Sequence, residues 1–150
     1  MNTGGHEYFF AGSHRVIGEG PPPDATSVWA HIGATLAARD AEERDGAWTM
    51  LDTVDPQRSL MTTDNVRELA ATAFQGLRGL AEPTPIRAQA GELSTFTDRG
   101  YACAFAAIGV HRWFHTPKDT LECVDSRLLL PVLAAHRKMI ELVVARDATG

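Results

Sequence analysis

The sequence predicts an α/β fold, a parallel-rich sheet with helices on its faces. Two observations carry that prediction. Short apolar runs that read as buried strands alternate with stretches of helical periodicity, and Gly/Pro clusters separate them. Size agrees: 150 residues, 44% hydrophobic and 22% charged, make one domain with enough apolar mass for a core.

Met1 to Arg15 passes from Gly4-Gly5 into Tyr8-Phe9-Phe10 and reads as the end of a buried strand running into a helix. Gly18 to Pro23 is a loop, because GEGPPP combines the two strongest breakers. Ser27 to Ala34 is a short buried strand, and the polar stretch Asp40 to Gln57 a long surface excursion. Ser59 to Thr62 is a further short strand. Asp64 then caps a helix in which Val66, Leu69, Ala70, Ala73, Phe74 and Leu77 share one face and which ends near Gly79. Pro83 and Pro85 mark a connection, and Ala102 to Val110 is another buried strand. Asp125 to Ala145 closes the chain as an apolar helix, with either a short first turn before Pro131 or a kink at it. The sequence shows no internal repeat.

Charge and hydropathy remove several function classes. A net charge of −5 without a Lys/Arg-rich run gives no means of holding a phosphate backbone, so nucleic acid is excluded as a partner. The longest apolar runs are about half of the roughly 20 residues that a membrane span needs. MNTGGHEYFF has no secretion-signal pattern, which implies a cytoplasmic protein if Met1 is the true start. Cys103 and Cys123 are read as reduced packing residues, Trp29, Trp48 and Trp113 as core or rim, and His14 and His136 as surface positions on helices.

Histidine is the commonest neutral metal ligand, and six are present. His6-Glu7 begins like the HExxH zinc motif, but Phe10 stands where the second histidine belongs. His111 and His115 would face one way on a helix, yet Pro117 follows closely and the preceding residues read as strand. His115 is more informative, since FHTPKDT follows a buried strand and ligands of open α/β sheets gather at strand carboxyl ends. Glu7, after the first strand, and His31, in or at the end of the second, either join it on one zinc ion with water in the open position or are, like it, polar residues at element ends.

These residues also carry a family resemblance. GGHEYFFAGS resembles the Glu-Glu-x-Gly-Leu-x-Gly-Ser segment of co-catalytic zinc exopeptidases, the bacterial leucyl aminopeptidase and glutamate carboxypeptidase group. FHTPKDT resembles the later Tyr-His-Thr-x-x-Asp-Thr segment of that family and is the most specific match in the chain. The resemblance spans nearly the whole chain and corresponds to the C-terminal part of the family's catalytic domain. It implies a three-layer α/β/α architecture with a mostly parallel mixed sheet, and hydrolysis of a peptide or amide substrate by metal-activated water. By the same resemblance Glu7 and His115 are ligands of one zinc. His31 stands where the family has an aspartate on the second, and imidazole serves zinc as well as carboxylate does.

The chain departs from the family at several points. His6 occupies the place of the glutamate that acts as general base, a role open to histidine near neutral pH. The family's other histidine ligand and bridging aspartate lie upstream of the acidic pair, where only five residues precede His6. The expectation is an incomplete two-metal site with weak zinc binding. Gly91-Glu92-Leu93 stands where many members have Ser-Asp-His, so Glu92 is a candidate substrate-pocket acid. Asp119 is either the partner that orients His115 or a turn residue. Three functions follow: a divergent zinc exopeptidase, a non-catalytic peptidase-like binding domain, or half of a split enzyme. A family sheet that begins upstream also implies an exposed edge near Tyr8 to Phe10, and with it self-association.

Overall fold

The apolar runs of the sequence become the middle of a five-stranded sheet. The computed structural model describes residues 6–11, 28–86 and 103–147, with side chains described over 35–86 and 103–146. In chain order the strands are β1 (His6–Ala11), β2 (Val28–Gly33), β3 (Arg39–Arg44), β4 (Ala47–Val54), β5 (Arg58–Thr62), β6 (Thr84–Pro85) and β7 (Cys103–Gly109). The described helices are α1 (Arg67–Ala73) and α2 (Leu130–Asp147), and a 3-10 turn, Ala34–Ala37, follows β2. The main sheet runs β1-β2-β7-β5-β6, and β3 and β4 form a separate hairpin.

The sheet is mixed, as expected, but its described pairings divide evenly between parallel and antiparallel. β1–β2 and β5–β7 pair antiparallel, whereas β2–β7 and β5–β6 pair parallel. The fold is α/β, as expected. Both described helices lie on the face of the sheet that carries Leu60, Phe105 and Ala107. β1 also corrects the sequence reading: His6 and Glu7 open a strand antiparallel to β2 rather than follow one. β1 is the edge strand of the described sheet, as expected for Tyr8 to Phe10.

The helix stripe read from sequence is the core. Val66, Ala70, Ala73 and Phe74 are buried, and Leu69 and Leu77 pack against them. The helix itself is shorter than expected. Asp64–Val66 forms a 3-10 turn in front of α1, and Asp64 pairs with Arg67 instead of capping. After Ala73 the chain turns through Gly76 and Gly79, both at positive φ. Phe74 meets Phe105 edge-on at 6.3 Å, which joins α1 to β7.

α2 begins as the early proline requires: a 3-10 turn over Ser126–Leu128, then Pro131 in the first helical turn, where its missing N–H costs nothing. Its inward face is Val132, Ala135, His136, Met139 and Val143. His136 is therefore not a surface residue. It is 2% exposed, lies between Phe74 and Phe105 at 5.0 and 5.6 Å, and donates from Nδ1 to the Val132 carbonyl at 2.8 Å. The other histidine read as surface, His14, and the Gly18–Pro23 loop lie outside the described residues.

The surface excursion read over Asp40 to Gln57 is the β3–β4 hairpin. Asp45 and Gly46 at its tip have φ of 52° and 77°, the positive pair that a two-residue hairpin turn needs and that Asp-Gly favours. No residue of the two strands is fully buried, which explains why they lack an apolar alternation. Cys103 and Cys123 are free and buried, as expected.

Gly109, the last residue of β7, is the tightest point of this layout. A Cβ there would lie 2.5 Å from the Thr35 carbonyl oxygen, a backbone atom that cannot step aside. Gly109→Ala is expected to cost about 1–3 kcal/mol, the range for overpacking. Urea unfolding measures it, and a loss under about 0.5 kcal/mol would show that the close approach is not made.

Candidate functional site

Two parallel neighbours end together, and β2 and β7 are such a pair. His31 of β2 is in register with Ala106 of β7, and Glu7 of β1 is opposite Ile32. The backbones of Glu7 and His31 thus stand at the carboxyl end of β2. The loop that leaves β7, with His111, His115 and Asp119, starts from the same end of the sheet. The side chains of His6, Glu7 and His31 lie outside those described, and Glu92 lies outside the described residues altogether.

The loop is a chain of consecutive turns. Phe114 N–H donates to the His111 carbonyl at 2.9 Å, Thr116 to that of Trp113 at 2.9 Å, and Asp119 to that of Thr116 at 3.0 Å. The Thr116 hydroxyl donates to the Trp113 carbonyl at 2.7 Å and accepts from Lys118 N–H at 3.2 Å. At the entry Val110 N–H donates to the Gln57 carbonyl at 2.8 Å. At the exit Asp125 N–H donates to that of Ala37 at 2.9 Å.

His115 is exposed at φ 61°, a left-handed conformation uncommon outside glycine. Its ring stacks on Phe114 with centroids 3.9 Å apart and planes at 21°. His111 takes the opposite course. Its side chain is 2% exposed, as is that of Asp119, and Nε2 lies 3.3 Å from Asp119 Oδ1. The two histidines therefore do not face one way, and Asp119 faces His111, a pairing that the sequence reading did not consider. Losing one partner of a buried polar contact costs about 1–3 kcal/mol.

The rim is aromatic. Trp48 on the hairpin meets Trp113 edge-on at 6.0 Å, and the Arg112 guanidinium stands 3.8 Å over the Trp48 ring. This agrees with the reading of Trp48 and Trp113 as packing residues and ties the hairpin to the loop. Nothing in the local sequence around Trp48 signals that contact, which comes from tertiary folding alone.

Family models, curated proteins and solved structures were compared with the chain, and none matches. The site is therefore argued from its own chemistry. Among the described side chains, no three His, Cys, Asp or Glu groups come together to hold a metal. A carboxylate from Glu7 and imidazoles from His31 and His115 are donor types that zinc accepts, and exposed His115 is within reach of an ion. By donor type the three suit zinc, while in the β1–β2 register Glu7, opposite Ile32, and His31, opposite Tyr8, hold alternate positions of the pleat.

Asp125 fixes the exit of the loop and carries a pH signature. Its carboxylate accepts from the Arg127 guanidinium, with Nε at 2.9 Å, and from Arg127 N–H at 2.9 Å. The side-chain bond first and the backbone bond second pull its pKa from 3.8 down to about 2. A depressed carboxylate contributes stability that is present above the ordinary value and lost as pH falls through the folded one. The turn at Asp125 is thus expected to hold to near pH 2. A carbon-detected titration of its carboxyl group checks this, and a midpoint near 3.8 would contradict the pairing.

Proposed function

We propose that the chain is a divergent zinc-exopeptidase-like domain, of three-layer α/β/α architecture, that hydrolyses peptide or amide bonds with a metal-activated water. The observation that carries the reading is the parallel pairing of β2 with β7, which brings His31 and the FHTPKDT loop to one end of the sheet. The FHTPKDT motif itself and the exposure of His115 support it. In this reading Glu7, His31 and His115 hold zinc. When bound, zinc supplies Lewis-acid activation of water and of the scissile carbonyl. His6 takes up the proton released, as a histidine does near neutral pH.

A second reading, a peptidase-like domain without catalysis, is favoured by one feature of the sequence: His6 in place of the family glutamate. Zinc analysis and a leucyl-anilide assay on the purified chain separate the two. The hydrolytic reading expects weak zinc uptake, reduced at least about 10-fold by His115→Ala. It also expects slow turnover that falls about 100-fold or more in His6→Ala, the scale of a lost general base. Zinc uptake without turnover favours the binding domain. Uptake that His115→Ala leaves unchanged, or no uptake at all, overturns the metal site.

A further inference from the structure

We infer that His111 and Asp119 form a clasp that fixes His115 in its exposed, left-handed geometry before any metal arrives, which makes both of them positioning residues. The inference rests on the proposed zinc reading only for the purpose of the geometry, not for the geometry itself. The clasp joins the two ends of the turn series. His111 is the first residue after Val110, Asp119 closes the last of the turns, and Nε2 and Oδ1 meet at 3.3 Å with both side chains 2% exposed. Everything between them is exposed or half-buried: Arg112, Trp113, Phe114, His115, Thr116, Pro117 and Lys118. A surface loop without an internal anchor samples many backbone states, and a histidine at φ 61° is costly in most of them.

The clasp changes that balance by putting the fixed points of the loop inside the protein. His111 also meets Phe114 edge-on at 6.2 Å, and Phe114 is the ring on which His115 stacks. The chain of contacts is thus Asp119 to His111, His111 to Phe114, and Phe114 to His115. A ligand held in place in this way binds without first ordering its loop, which is how rigid support raises affinity. Cys123 secures the far side, with Sγ donating to the Lys118 carbonyl at 3.2 Å.

The test uses the metal-free full chain and reads the His115 ring protons by NMR. Stacking on Phe114 shifts them upfield of a free histidine, and Asp119→Ala is expected to abolish that shift. Asp119→Asn, which keeps an oxygen facing His111, is expected to retain it. A merely structural role would lower stability in both variants without this difference in the His115 signal. Zinc affinity, titrated separately with zinc chloride, is expected to fall about 10-fold or more in Asp119→Ala, the scale of groups that orient a metal ligand. If Asp119→Ala does not fold, wild type and Asp119→Asn decide: His115 protons at free-histidine positions in wild type overturn the clasp. An intact shift in a folded Asp119→Ala overturns it as well. A chain that takes up no zinc yet shows the Asp119-dependent shift keeps the clasp and removes the metal reading.

Discussion

The architecture at the functional end depends on one close crossing, the passage of Thr35 to Ala38 over the end of β7. These four residues are buried, and their backbone groups serve three other segments. The Leu36 carbonyl accepts from the Arg58 guanidinium at 3.0 Å, that of Ala38 from Asp55 N–H at 2.9 Å, and that of Ala37 from Asp125 N–H at 2.9 Å. A buried turn is tolerable only if such groups are satisfied, and here they are satisfied by the pieces that must be held. The absence of a side chain at Gly109 lets the crossing occur.

Arg58 is the charged member of this junction. Its guanidinium also donates to the Arg78 carbonyl, at 3.0 Å from Nε. Burial lowers its pKa, Arg78 adds to the effect and Asp55 opposes it. An arginine suits the place because its fork reaches two carbonyls from one rigid plane, which lysine cannot do. The consequence is functional. Arg58 faces Gly109 in the β5–β7 register, so the same residue that anchors the crossing sits beside the strand from which the histidine loop departs.

Much of this was legible in the sequence where a local pattern decides the outcome. β2, β5 and β7, the inward stripe of α1 and the short turn before Pro131 all follow from periodicity and breakers. The failures have physical causes. The hairpin is not legible from hydrophobic pattern because its half-buried and exposed strands carry no apolar alternation, although Asp45-Gly46 marks its turn. Residue type alone marks His136 as polar surface, whereas its place on the stripe with Val132, Ala135 and Met139 buries it. The site divides in the same way. FHTPKDT pointed to the loop, but the burial of His111 against Asp119 depends on how the loop folds back on itself.

Native-state hydrogen exchange tests the crossing most directly. If Thr35 to Ala38 is the shared support, the amides of Ala38, Asp55, Val110 and Asp125 open together, with a free energy close to that of global unfolding. Arg58→Met should then lower the protection of all four by the same factor. Fast exchange of Val110 and Asp125, with Asp55 still protected and the β5–β7 ladder intact, would contradict the account.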